Sequence, residues 1–361
     1  MATCTGCDSC SNVEQWMTGL SRLLRSVVAA WRVWACWVGL PWLSLLPLKV
    51  LADGTQAACA QAYPEVPWQQ RAAGIWTWSP PVPQDITVRN QGFVVPVSAL
   101  VDGGKAWVID PGPSLQHGQR VKDSLRCQLG AEVVGVFNTH AHAENVLANG
   151  AFGDQVAIFA LEGTRAAMQE RCPQCLQSLT SRVGVESMAG TRIVLPTRTL
   201  VPGQTLELGQ HRLVVLQPAQ GHTEADLLLW HPQSRWLWAG GLVYEQRIPE
   251  LAQGRLQAWL TALDDLMRWQ PNGVVSTVVA EAANGEMAAL TGTRQYLHTL
   301  REQVWRAMDL GLSPLDPGWA DMPAYADWAG YHERHGFNAQ RAWRELEPEW
   351  MRSGSAQQVG R

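Results

Sequence analysis

The chain has 361 residues, enough for one large domain or two small ones. Hydrophobic residues make up 46% and charged residues 17%, which excludes an intrinsically disordered chain. A formal net charge of −4, a pI near 6.1 and the lack of any basic stripe exclude a nucleic-acid footprint. The 19 tryptophans, against 5 tyrosines and 5 phenylalanines, are read as packing residues.

At the N-terminus, Arg22, Arg25 and Arg32 precede an apolar run over Val33–Leu48, and small residues follow at Ala52 and Ala57–Ala60. Basic flank, apolar stretch and small-residue exit are the parts of a secretory signal. The run is about 16 residues, short of the roughly 20 of a spanning helix, and an uncleaved membrane anchor is the alternative. Residues 1–60 are therefore expected to be an export signal or anchor, and the protein to be periplasmic or otherwise exported. Cys4, Cys7 and Cys10 have the spacing of cluster ligands, but their place ahead of an export segment argues against that. The mature chain keeps Cys127, Cys172 and Cys175. In an oxidising compartment, Cys172-Pro173-Gln174-Cys175 is expected to form a disulfide stapling a helical insertion; a redox role is the alternative.

Strands are predicted over Ile75–Trp78, Gly92–Leu100 and Trp107–Ile109, with a hairpin signal at Asp102-Gly103-Gly104. Helical spacing over Gln119–Leu129 puts Val121, Leu125 and Leu129 on one face. A strand over Ala131–Asn138, a helix from Val146 to Phe152 and a strand over Val156–Ala160 follow. Glu162–Glu170 and Cys175–Leu179 read as two short helices. Arg192–Leu195, Thr205–Leu208, His211–Leu216, Asp226–Trp230 and Arg235–Trp238 read as antiparallel strands of a second sheet. Leu256–Trp269 is an amphipathic helix, Val274–Val279 a closing strand and Met287–Leu310 a long helix. Residues 61–282 are expected to form the main domain and 283–361 a C-terminal helical extension. Strands, helices and strands in this order suit two sheets sandwiched between helices.

The chemistry concentrates in Asn138-Thr139-His140-Ala141-His142-Ala143-Glu144-Asn145, the exit from an apolar strand. Histidines two apart in such a loop can turn both rings to one point, and His222, in Gln220-Gly221-His222-Thr223, follows a second apolar run. Neutral imidazoles converging on one point are what zinc asks for.

These motifs resemble those of metallo-β-lactamase-fold hydrolases, which carry T-H-x-H-x-D-H, a later G-H-T, a later G-D and a final G-H-G. Val108-Ile109-Asp110-Pro111-Gly112 is similar to that family's strand-ending D-T-G, and the likeness runs from about Gly74 to about Val279. The resemblance implies an α+β fold, a four-layer αβ/βα sandwich with a C-terminal helical extension added here. Arg171-Cys172-Pro173-Gln174-Cys175 and Asn338–Glu347 resemble the branch called quinoprotein relay system zinc metallohydrolases. The family's first metal site carries over to His140, His142 and His222. Of the second site, Glu144, Asn145 and Gly241 hold the first three places, and the apolar stretch Val274–Val279 stands where the last histidine belongs. A binuclear centre is therefore not expected, and one zinc ion is. An iron oxygenase on this fold would want a carboxylate where Gly241 stands.

Zinc held by three histidines lowers its water's pKa from 15.7 to about 7, so a zinc-bound hydroxide could attack an ester, thioester, lactone or amide carbonyl. Glu144 is the candidate general base, with loop bracing as the alternative. Asp110 either braces the metal loop or merely ends a strand. Asn145 either orients a substrate oxygen or caps the following helix. Glu224 and Asp226 are candidate supports for His222, and His332 and His335 are candidate replacement ligands. The expected partners are a small acyl substrate and, through the branch resemblance, a quinoprotein dehydrogenase system. The competing expectation is a non-catalytic metal- or ligand-binding protein of the same fold.

Overall fold

The computed structural model describes residues 65–81, 85–284 and 286–359; the expected export segment and Cys4, Cys7, Cys10, Cys36 and Cys59 lie outside them. Strand formation starts from a two-residue turn. Gly103 and Gly104 both take positive φ, 54° and 75°, which only glycine adopts freely, and the turn pairs Asp102 with Lys105. It joins β3 (Val97–Asp102) to β4 (Lys105–Ile109). β3 starts later than Gly92 because Pro96 has no N–H to give a ladder.

The first sheet adds β1 (Gln69–Ala72), β2 (Ile75–Trp78), β5 (Glu132–Phe137), β6 (Ala157–Leu161) and β7 (Arg198–Leu200). The seven strands lie in chain order, antiparallel up to β4 and parallel from β4 to β7. Parallel neighbours need crossovers. One is helix α1 (Leu115–Leu129), whose N-cap Ser114 Oγ accepts from the His117 amide and whose C-cap Gly130 has φ 62°. After β5 come a one-turn helix α2 (Ala143–Val146) and a 3-10 turn over Leu147–Ala151, in place of the expected helix from Val146.

The segment after β6 differs from the sequence reading. The two expected short helices are one helix, α3 (Glu162–Val183), running through Pro173. Buried Thr164, Met168, Cys172 and Leu179 anchor it on both sides of the proline, and tertiary packing overrides the local break. Arg192–Leu195 forms no strand; Ile193, Val194 and Leu195 pack as a coil, and pairing begins after Pro196.

The second sheet holds β8 (Thr205–Leu208), β9 (His211–Leu216), β10 (Leu228–His231), β11 (Trp236–Trp238), β12 (Gly273–Val275) and β13 (Val279–Glu281), in the order β13-β12-β11-β10-β9-β8. β11 and β12 are parallel because α4 (Leu256–Trp269) crosses between them. The expected strand Val274–Val279 is two antiparallel strands turning at Ser276, whose N–H donates to Val278 O at 2.8 Å.

Ile109 and Phe137 of the first sheet meet Leu213 and Trp238 of the second in the central core. α1 covers the outside of the first sheet through Val121 and Leu125. α4, α5 (Ala288–Asp309) and α6 (Tyr331–Val359) cover the second, sharing one cluster that includes Leu263, Tyr296 and Trp343. The result is the four-layer αβ/βα sandwich. A polar chain also ties the sheets. The Ser234 amide donates to His231 Nδ1, His231 Nε2 stands 3.2 Å from His211 Nδ1, and His211 Nε2 reaches Val101 O at 3.2 Å. All described residues belong to one compact unit, and no helix among them is long and apolar enough to cross a membrane.

Candidate metal centre

Among the described residues, one group of three or more metal-binding side chains converges: His140, His142 and His222, with one ligand atom from each inside 4.8 Å of the others. Strand β5 ends at Phe137, and His140 and His142 follow in its exit loop. His222 comes in the loop between β9 and β10. The two loops are joined where the Leu227 N–H donates to Thr139 O at 2.8 Å.

Hydrogen bonds fix two of the three tautomers. The Thr139 amide and hydroxyl both donate to Asp110, at 2.8 and 2.5 Å. The hydroxyl's one proton is thus spent on the carboxylate, so its oxygen accepts from His140 Nδ1–H at 2.9 Å. His222 Nδ1–H donates to Glu250 O at 3.0 Å. Both rings therefore turn a bare Nε2 toward the centre. His142 offers Nδ1, which stands 3.2 Å from His222 Nε2. Two ligands at 2.0–2.1 Å from a tetrahedral metal lie about 3.3 Å apart, so this pair is spaced as zinc ligands are. Burial, reinforced by the neighbouring rings, holds His140 well below its ordinary range and His222 down at about 3, so both rings are neutral.

Asp110 sits behind this loop at positive φ, 52°, a conformation aspartate tolerates. Burial raises its pKa to about 6 against the hydrogen bonds from Thr139. Asn145 does not cap a helix: it lies inside α2, is buried, and turns its side chain to Asp110. Its Oδ1 has no hydrogen-bond partner among the described residues. Glu144 is placed differently. Its carboxylate lies 3.9 Å from His142 Nδ1, and both residues line a cavity of about 320 Å³. Asp226 takes the Thr223 N–H and hydroxyl and so shapes the His222 loop, while Glu224 is turned outward to Arg171.

Gly241 lies against the His222 ring: a Cβ there would stand 2.1 Å from His222 Cδ2. His332 and His335 do not reach the centre. His335 is buried between the Tyr296 hydroxyl, at 2.9 Å, and Ala320 O, at 2.6 Å, and fastens α6 to α5. The replacement-ligand reading is overturned by this packing.

Several residues of the cavity carried no sequence signal. Arg247 and Arg334 both bind Glu250, at 3.1 Å each, and Arg334 also holds Asp85. Burial raises the Glu250 carboxyl, and the two guanidiniums outweigh it and hold it below its usual range. Cys175 lines the same cavity, and Cys172 is buried beneath it. The expected bridge between them is not formed: both are free thiols, one helical turn apart on α3. Donation from Cys172, with His142 adding to it, pulls the Cys175 thiol down to about 6 against burial, while Cys172 is pushed up. Cys127, in contrast, is disulfide-bonded.

No family model and no curated protein sequence matches the chain. Among solved structures, it is similar to a metallo-beta-lactamase from Pontibacter korlensis, with 20% identity, 64% of this chain and 98% of that chain covered and a TM-score of 0.50. The chain has the metallo-β-lactamase fold. DIM-1 metallo-beta-lactamase matches with 20% identity, 65% of this chain and 98% of that one, and a TM-score of 0.48.

Proposed function

We propose that this protein is an exported single-zinc hydrolase that cleaves an ester, thioester, lactone or amide carbonyl. The observation that carries the reading is the convergence of three histidines, one of which, His142, lines a cavity that also holds the Glu144 carboxylate. A zinc ion held there supplies Lewis acidity and an activated water. His140, His142 and His222 would hold the metal, and Thr139 and Glu250 O fix the His140 and His222 rings. Glu144 would be the general base: its carboxylate stands 3.9 Å from His142 Nδ1 and lines the same cavity. In that role its carboxylate would hold a proton and pass it to the leaving group. The disulfide at Cys127 supports an oxidising, extracytoplasmic compartment.

A second reading is a non-catalytic metal- or ligand-binding protein serving a quinoprotein dehydrogenase system. It is supported by Asn145 turning to Asp110 and by Gly241, which has no side chain to offer a ligand atom. Metal analysis beside an ester and thioester panel, on wild type, His222→Ala and Glu144→Gln, separates the two. The hydrolase reading expects one zinc in wild type and Glu144→Gln, none in His222→Ala, and a 10²–10⁴-fold rate loss in Glu144→Gln. Bound zinc with no turnover of any panel member in either form would sink the hydrolase and favour the binding protein.

A further inference from the structure

We propose that Cys172 and Cys175 form a reversible dithiol–disulfide pair in the wall of the metal-site cavity, exchanging with small disulfide-bearing molecules. The two thiols lie one turn apart on α3, and positions three apart on an ideal helix have Cα atoms about 5 Å apart. That separation falls inside the 4.4–6.8 Å range a disulfide spans, so the bond can close without unwinding the helix. Both carry free thiols, Cys172 buried and Cys175 half-buried.

Their surroundings divide the labour. Cys172 is fully buried, packed with Ala141, Val146 and Met168. Cys175 opens onto the cavity shared with His142 and Glu144. An incoming disulfide can therefore meet only Cys175, and only Cys172 is placed to resolve the product. A structural staple is the weaker account, because a crosslink spanning a single turn of an already formed helix constrains the unfolded chain least. Pro173 stands between the thiols in mid-helix with no N–H to give the ladder. Departures of that kind collect at functional sites.

The chemistry balances in two steps. Cys175 Sγ attacks one sulfur of R–S–S–R, forming Cys175–S–S–R and releasing one RSH. Cys172 Sγ then attacks Cys175 Sγ, closing the internal disulfide and releasing the second RSH. Two protein thiols are oxidised, one external disulfide is reduced, and both thiol protons leave with the two RSH molecules. The pair's chemistry stands apart from the hydrolase reading and survives its failure.

The test equilibrates the purified full-length protein with glutathione buffers of rising oxidised fraction, quenches with acid, alkylates free thiols and maps the α3 peptide by mass spectrometry. The expected result is a wild-type Cys172–Cys175 disulfide that rises from nearly absent to nearly complete and is reversed by reduced glutathione, with no lasting adduct. Cys172→Ser should accumulate a glutathione adduct at Cys175, and Cys175→Ser none at Cys172. A wild-type pair that stays dithiol throughout overturns the proposal. So does an adduct on Cys172 in Cys175→Ser equal to that on Cys175 in Cys172→Ser. The wild-type titration needs no variant, so a misfolded mutant leaves the proposal testable.

Discussion

Placing a single methyl group at position 241 should unseat the third histidine. The Cβ of Gly241→Ala would stand 2.1 Å from His222 Cδ2 and 2.7 Å from both Cγ and Nε2. Carbon atoms in contact lie 3.5–4.0 Å apart, so the ring must retreat by about 1.4 Å or more. It has little room to do so. Its far side meets the Trp259 ring at 5.5 Å between centroids, and its Nδ1 is tied to Glu250 O at 3.0 Å. Metal sites need their ligands within about 0.5 Å of the productive position. Disturbing the support of a metal ligand costs about 10–100-fold in affinity, and displacing the ligand itself should cost at least that, about 1.4–2.8 kcal/mol or more.

The assay is a zinc competition titration against a chromophoric chelator on wild type and Gly241→Ala, with thermal melts alongside. Gly130→Ala is the control: it strains a φ of 62° at the end of α1, but its Cβ meets nothing within 4 Å. It should lower Tm and leave zinc affinity unchanged. A Gly241→Ala affinity within about twofold of wild type would refute the packing argument. The same clash means that Gly241→Asp should not create a second metal position, whatever its carboxylate could offer.

Three further perturbations follow from the packing. Asn338→Ala strands the buried Leu251 N–H and Pro249 O, which now meet Asn338 at 3.1 and 2.7 Å; a loss of about 1–3 kcal/mol per stranded group is expected in chemical denaturation, and an unchanged midpoint would contradict it. Glu345→Gln weakens the paired acceptor for the first amides of α4, Leu256 N and Gln257 N, at 2.8 and 3.0 Å, and should cost about 1 kcal/mol in the same assay. His231 is held down at about 4, by burial first and then by His211. Its unfolded form takes up a proton near 6.5 while the native form does not, so stability is lost as pH falls from 6.5 toward 4, by at most about 3 kcal/mol. His231→Gln should flatten Tm against pH in that window, and parallel curves would refute the assignment.

The three histidines were legible because their spacing and their place at strand exits carry the chemistry in the chain itself. Glu144 was legible for the same reason, being two residues from a ligand. Glu250 was not. Its part is played by a backbone carbonyl that any residue could supply, 28 residues beyond His222. Cys175 was visible as one half of a motif, but nothing local says that α3 turns it toward His142. The misreadings of regular structure share one cause. Pro173 argues for a break and Ile193-Val194-Leu195 for a strand, and in both places burial on neighbouring elements outweighs local propensity.

The C-terminal helices belong to the metal centre through the segment 247–257. Arg334 of α6 meets Glu250, Asn338 holds Pro249 O and Leu251 N, Arg341 reaches Gly254 O, and Glu345 caps α4. That segment presents the Glu250 carbonyl that sets the His222 tautomer, and the Gly254 N–H to Leu251 O turn leads to Arg255 N, which donates to Gly221 O beside His222. The face of α6 carrying Asn338, Arg341 and Glu345 therefore acts on the metal at one remove. A strain placed on α6 should reach His222 before it reaches His140, whose support comes from Asp110 and Thr139 in the first sheet's own loops. The residues that read as a branch signature in the sequence, Asn338–Glu347, are in physical terms the buttress of the third ligand.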